Sequence, residues 1–200
     1  MKHTGITLLT AFLWVLPASA GVIYSNGPAN GTIDTRSMSG GYAITDSFVV
    51  STATVATGAD FAAVTYQGSV PLTVDWAIGW TAFGTDLGSG TGATLSNSGL
   101  TTATYFGDSY DLQTSTFSFG GVRLAAGTYW LTLQNGTSTS HDFRINWDVN
   151  NGASSAQQTT VGSISSEAFE VLNSAPSAPE PGTIALMVAG LGVIVYRRRL

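Results

Sequence analysis

The chain has 200 residues, 44% of them hydrophobic and 10% charged, with seven basic and twelve acidic side chains and a net charge of −5. It has no cysteine, which excludes disulfides, thiol catalysis and cysteine-ligated metals. Four of the seven basic residues lie at the two ends, so residues 21–178 hold three arginines, no lysine and eleven carboxylates, a net charge of −8. That balance argues against nucleic acid and anionic membrane surfaces as partners.

Residues 1–20 read as a secretory signal peptide. Lys2 supplies the positive start, residues 6–16 form an apolar core broken only by Thr7 and Thr10, and Ala18-Ser19-Ala20 is a small-residue cleavage site. Ala18 and Ala20 are the cleavage determinants, and Gly21 is the expected first residue of the mature chain. The apolar stretch is too short to serve as a permanent span.

The body is rich in Gly, Ser, Thr, Asn, Val and aromatics, a composition that favours strands joined by tight turns. Large apolar residues alternate with polar ones through residues 74–81, 116–119, 128–133 and 142–149. Further strands are expected at 21–24, 42–50, 61–66, 101–106 and 168–172. Breaks are expected at Gly58, 68–71, 84–92, 107–108, 120–121, 135–136 and 150–152. No amphipathic helix of ten residues stands out. Many short strands at this spacing predict an all-β fold, a two-sheet antiparallel sandwich of jelly-roll type. A body of this length can bury a sufficient core without staples.

Candidates for chemistry are sparse. His141, followed by Asp142, is the sole histidine of the mature chain, and no Gly-x-Ser-x-Gly marks a serine partner. Asp108 with Asp111, or Glu167 with Glu170, would supply a glycosidase carboxylate pair. Both pairs lie near turns, where solvated carboxylates are ordinary. No cofactor is implied; structural calcium is the one metal in view, with Asp108, Asp111, Asp148 and Asn150 as oxygen donors, although none lies in an EF-hand pattern. Residues 88–92, Gly-Ser-Gly-Thr-Gly, lack the lysine of a phosphate loop and read as a flexible connection.

Among the aromatics, Trp76 and Trp80 share a face with Val74 and Ile78, and Trp147 with Phe143 and Ile145, so all three are expected in the core. Trp130 shares its face with Thr128 and Thr132, which offers a platform for stacking a sugar ring. Tyr105 and Tyr110 flank a turn and are further candidates.

The C-terminus has three parts: Pro179-Glu180-Pro181, an uncharged apolar run at 182–196, and Arg197, Arg198 and Arg199. As a helix the run spans about 22 Å, short of a bilayer core of about 30 Å. The arginines act as a stop-transfer cluster that stays cytoplasmic. This order closely resembles the PEP-CTERM sorting signal of Gram-negative bacteria. The resemblance implies recognition by an exosortase, a membrane transpeptidase-like enzyme, in cells that make exopolysaccharide. Residues 122–133, with Gly127-Thr128-Tyr129-Trp130-Leu131, are similar to a strand of the β-sandwich ectodomains such proteins carry, and residues 43–50 to their opening strand.

The sequence thus predicts a signal peptide (1–20), a β-sandwich ectodomain (21–172), a linker (173–178) and a sorting tail (179–200). Expected partners are the secretion machinery, an exosortase, the inner membrane in transit, and exopolysaccharide. The expected destination is the cell surface or the extracellular matrix. A non-catalytic structural or glycan-binding sandwich is the leading expectation, and a secreted glycan-active hydrolase on the same scaffold is the alternative. A carboxylate pair inside a concave pocket would favour the hydrolase.

Overall fold

The computed structural model describes residues 21–30, 32–140 and 144–173. The signal peptide, His141, Asp142, most of the linker and the whole sorting tail lie outside the described residues. Within them the chain forms thirteen strands: β1 (Gly21–Ser25), β2 (Thr35–Ser37), β3 (Ala43–Val50), β4 (Thr54–Tyr66), β5 (Pro71–Gly79), β6 (Gly88–Thr94), β7 (Ser96–Tyr105), β8 (Asp108–Leu124), β9 (Gly127–Ser138), β10 (Asn146–Asp148), β11 (Ala156–Gln158), β12 (Gly162–Ile164) and β13 (Phe169–Asn173). No helix occurs among the described residues, and none there is long and apolar enough to cross a membrane.

The strands form two antiparallel sheets. The first is centred on β4, which pairs with β8 along one edge and with β13 and β10 along the other. Beyond these, β7 extends β8, β1 extends β13 and β2 extends β10. The second sheet runs β12-β11-β3-β9-β5-β6. Alternation decides which side chains face inward. Ile44, Phe48 and Val50 of β3, and Tyr129, Leu131 and Leu133 of β9, meet Phe61, Phe117, Trp147 and Phe169 from the first sheet in one apolar cluster. Trp147 is fully buried between Phe61, at 5.9 Å, and Phe169, at 5.6 Å. Its indole N–H donates to the Ala168 carbonyl at 2.9 Å, which satisfies the one polar group of the ring. Tyr129 is likewise buried, and its hydroxyl donates to the Ala125 carbonyl at 3.0 Å.

Most of the expected strands are present and several run longer than the alternation showed, whereas of the strand expected at 142–149 the described residues keep only β10. The expected breaks at Gly58, Gly120-Gly121 and Asn135-Gly136 lie inside β4, β8 and β9. Gly58 sits at a bulge where the β4–β8 register shifts. Asn135 adopts φ 51° beside another register shift, between β9 and β5. Such residues bend a strand without ending it. The short strands β2, β11 and β12 carry too few residues to show a period.

Residues 88–92 are the clearest correction, because they form most of β6 and are not a loose connection. The reason is Trp76 on the neighbouring strand, whose ring lies across the bare faces of Gly88 and Gly90. A Cβ at Gly90 would sit 2.5 Å from the indole nitrogen, and one at Gly88 would sit 3.4 Å from the ring edge. The indole stacks on Phe119 at 4.3 Å on its other side. Glycine at alternate positions is therefore the space in which Trp76 packs.

Trp80 also departs from expectation. It is 53% exposed. Strand β5 ends at Gly79, so the alternation that placed Trp80 beside Val74, Trp76 and Ile78 stops one residue early. The ring lies over Tyr129 at 4.8 Å instead. Gly90→Ala is expected to destabilise the fold by ~1–3 kcal/mol through overpacking against Trp76. Gly120→Ala, where an added Cβ meets nothing within 4 Å, is expected to be near neutral in the same urea melts.

Candidate functional site

Three features of the sandwich bring polar and aromatic side chains together. The first is a cleft of about 430 Å³ on the sheet containing β2, β4, β8 and β10, formed in part by Asp34, Arg36, Tyr66, Tyr105, Tyr110 and Arg144. Register builds it. Tyr66 at the end of β4 stands opposite Tyr110 of β8, and the rings stack at 5.0 Å with 26° between planes. The β7–β8 hairpin brings Tyr105 alongside, because its tip is the tight turn Phe106-Gly107, with φ 50° and 91°. A positive φ suits Gly107 and is uncommon for a phenylalanine. Phe106 is 92% exposed, with its ring 4.5 Å from that of Tyr105. Arg36 on β2 and Arg144 just before β10 present exposed cations to the same cleft.

The second feature is a cleft of about 410 Å³ that contains Asp60, Gln113, Thr114, Thr101 and Glu170 beside the loop Gly27-Pro28-Ala29. Asp60 on β4 and Glu170 on β13 are register partners, so their side chains project from the same face. Burial, and then the neighbouring Glu170 charge, push the Asp60 carboxyl up to about 6.

The third is a buried polar network where β1, β3, β10 and the segment before β13 meet. Asn26 donates to Asn150 Oδ1, to the Ser154 hydroxyl and to the Glu167 carbonyl. Asn150 donates back to the carbonyl of Asn26 at 2.5 Å, and its Oδ1 accepts from Ser166 and the Gly152 N–H. Asp46 accepts from the Glu167 N–H at 2.7 Å, the Ser154 hydroxyl at 2.9 Å and the Ser47 N–H at 2.6 Å. Burial nevertheless pushes its carboxyl up to about 6. Burial and the Asp34 charge push Asp148 up to about 7. Glu167 is raised well above the usual carboxylate range by burial and by the charges of Asp46 and Asp148, against the opposing effect of Arg36.

These positions redistribute the residues singled out from sequence. Asp108 and Asp111 both lie on β8. Asp108 is exposed at the hairpin end, whereas Asp111 spends both oxygens on the Gly68 N–H and the Thr102 hydroxyl, each at 2.7 Å. The two do not share a site. Asn150 is a clamp between backbone segments, and Asp148 is fully buried beside it in the chain. Glu167 and Glu170 separate, the first into the polar network and the second into the Asp60 cleft. Among the described residues, no three carboxylate or imidazole side chains form a metal cluster. Trp130 is half-buried, next to Ser47 of β3 and Gly79 of β5, so it is less available to a ligand than Trp80. Tyr66, Arg36, Arg144 and Asp60 were not signalled by the sequence, since their partners lie tens of residues away.

The described residues therefore define an all-β, two-sheet domain with a tyrosine–arginine cleft and a carboxylate-lined cleft. At the C-terminus, residues 177–199 match the family model described as the PEP-CTERM protein-sorting motif. The chain carries that sorting motif, which implies export, membrane-anchored transit and exosortase processing. No curated protein matches the chain.

Two outcomes are expected. Trp147→Ala should cost ~3–5 kcal/mol in urea melts. Trp80→Ala should cost about 1 kcal/mol, the value of an aromatic pair at the surface. The second outcome concerns pH. Asp60 is raised when folded, from an ordinary 3.8 to about 6. Its stabilising contribution is therefore complete below about pH 4 and is lost as pH rises through about 6. Asp60→Asn, neutral throughout, should gain melting temperature relative to the parent between pH 4 and pH 8.

Proposed function

We propose that this protein is an exported, exosortase-sorted surface or extracellular protein whose sandwich binds exopolysaccharide without catalysis. The supporting observation is the half-exposed Tyr66–Tyr110 pair with Arg36 and Arg144 at its side. Stacked phenol rings offer flat apolar faces to a sugar ring, and their hydroxyls and the guanidinium groups offer hydrogen bonds to its oxygens. Trp80, lying over Tyr129, is a second exposed aromatic face, whereas Trp130 is a poorer one. The acidic body offers nothing to nucleic acid.

The order of use follows from the chain. The signal peptide at 1–20, cleaved after Ala18-Ser19-Ala20, delivers the ectodomain (21–172) through the secretion machinery. The linker (173–178) then separates it from the tail (179–200). Pro179, Glu180 and Pro181 hold an extended peptide outside the bilayer, since proline and the residue before it disfavour helix. The short apolar run holds the inner membrane weakly, and Arg197, Arg198 and Arg199 keep the end cytoplasmic. Processing then releases the domain to the surface or matrix.

A second reading, a glycan-active hydrolase, is favoured by the Asp60–Glu170 pair. One raised carboxyl near another is the kind of carboxylate pair that glycosidases use. Native affinity gels containing exopolysaccharide separate the readings. The binding reading expects a retarded protein with intact polysaccharide, and about 3–10-fold weaker retardation for Tyr66→Ala or Tyr110→Ala. Release of reducing ends that Asp60→Asn abolishes would establish the hydrolase instead. For the tail, replacing Pro179, Glu180 and Pro181 with alanine should leave uncut precursor in the inner membrane of cells carrying an exosortase. An unchanged mass and location would sink the sorting reading.

A further inference from the structure

The β7–β8 hairpin ends one side of the first sheet, and among the described residues β7 pairs with β8 alone. Register shows which of its backbone groups are spent. The two-residue turn Phe106-Gly107, with positive φ at both residues, closes on the pair Tyr105 and Asp108. Counting in from such a turn, hydrogen-bonded pairs alternate with non-hydrogen-bonded ones. Tyr105, Ala103 and Thr101 therefore bond to β8, whereas Thr104 and Thr102 turn their N–H and C=O groups outward. The far side of β8 agrees. The carbonyl of Ser109, which stands opposite Thr104, accepts from the Gln67 N–H at 3.0 Å and so points away from β7.

Open edges are usually guarded by charge, proline or a bulge. Residues 87–107 hold no charged side chain and no proline, in a body with three arginines against eleven carboxylates. One bulge, at the register shift between Ser98 and Thr101 with Gly99 at φ 67°, confines the regular edge to residues 101–105. The other outer strands offer less. β2 and β12 have three residues each, and β2 carries Arg36. β1 is interrupted by a register shift between Val22 and Tyr24. In β6 the Asp75 carboxylate takes the Gly92 N–H at 2.7 Å. The two most exposed large apolar side chains among the described residues flank the β7 edge, Leu100 at 63% and Phe106 at 92%.

We propose that β7 is a self-association edge, through which two copies of this chain pair residues 101–105 antiparallel about a two-fold axis at Ala103. The segment Thr102-Ala103-Thr104 is self-complementary in that register. Thr102 of each copy stands opposite Thr104 of the other, and the outward N–H and C=O groups satisfy one another. Threonine pairs across neighbouring strands are favourable. Phe106 falls opposite Leu100 of the second copy, so the two exposed apolar groups cover each other. Two acidic bodies repel over most of their surface, and the uncharged edge is where they can approach. Such a contact is isologous and closes at two copies. It uses backbone at a sheet edge and does not rest on the glycan-binding reading.

The test uses the purified exported protein. Sedimentation velocity should show self-association that grows with concentration and stops at the dimer. Thr104→Pro should abolish it at an unchanged melting temperature, because proline removes an outward N–H and no bond of the β7–β8 ladder. If that variant does not fold, Thr104→Lys replaces it, lysine being the charge that natural edges use against pairing. The chain has no cysteine, so Ala103→Cys introduces a single thiol. On mild oxidation it should give a covalent dimer, since residues facing each other in a non-hydrogen-bonded pair lie within disulfide reach. Val161→Cys, at an exposed position away from this edge, should not. A parent that stays monomeric up to about 1 mM, a limit of about −4 kcal/mol, overturns the proposal, whether the edge takes another strand or none. So does association that survives both Thr104 variants, or cross-linking that is no better at position 103 than at position 161.

Discussion

The fold depends on closing two sheets over one aromatic layer with no covalent staple. Trp147 is the centre of that layer. Its ring fills the space between Phe61 and Phe169, and burial of such a ring contributes roughly 2–3 kcal/mol. Its N–H bond to Ala168 then fixes β10 against the segment entering β13. β10 is only three residues long, and its place in the sheet follows from this contact together with its pairing to β4 and β2. Everything polar that follows Trp147 inherits its position, including Asp148 and the Asn150 clamp.

The polar network closes the same region from another side. Asn26, just after β1, and Asn150, just after β10, exchange hydrogen bonds through side chain and backbone. β1 and β13 are neighbours, with Gly21 opposite Asn173. The first and last described residues of the domain therefore lie together at one sheet edge. Burying carboxylates in this network is costly.

The two clefts use the opposite resource, side chains left outside the core. Tyr66, Tyr105 and Tyr110 sit where β4 and the β7–β8 hairpin run past the rest of their sheet, so their rings keep exposed faces. Asp60 and Glu170 sit opposite one another on paired strands, where like charges repel and one carboxyl is held up in pH.

Sequence by itself determined the fold class and the sorting motif. Alternation is local, so the inward faces of β5 and β9 were legible, as was the burial of Trp76 and Trp147. The sorting motif was legible because its three parts are contiguous and each does its physical work without a fold. Tertiary structure decided what depends on distant partners. Gly88 to Gly92 became a strand because Trp76 needed bare backbone to lie on. Trp80 left the core because β5 ended at Gly79. Asp108 and Asp111, close in sequence, do not share a site, one being exposed and the other hydrogen-bonded to Gly68 and Thr102, whereas Tyr66 and Tyr110, and Asp60 and Glu170, are brought together only by strand pairing. Register is set by the whole sheet, and no local window of the sequence contains it.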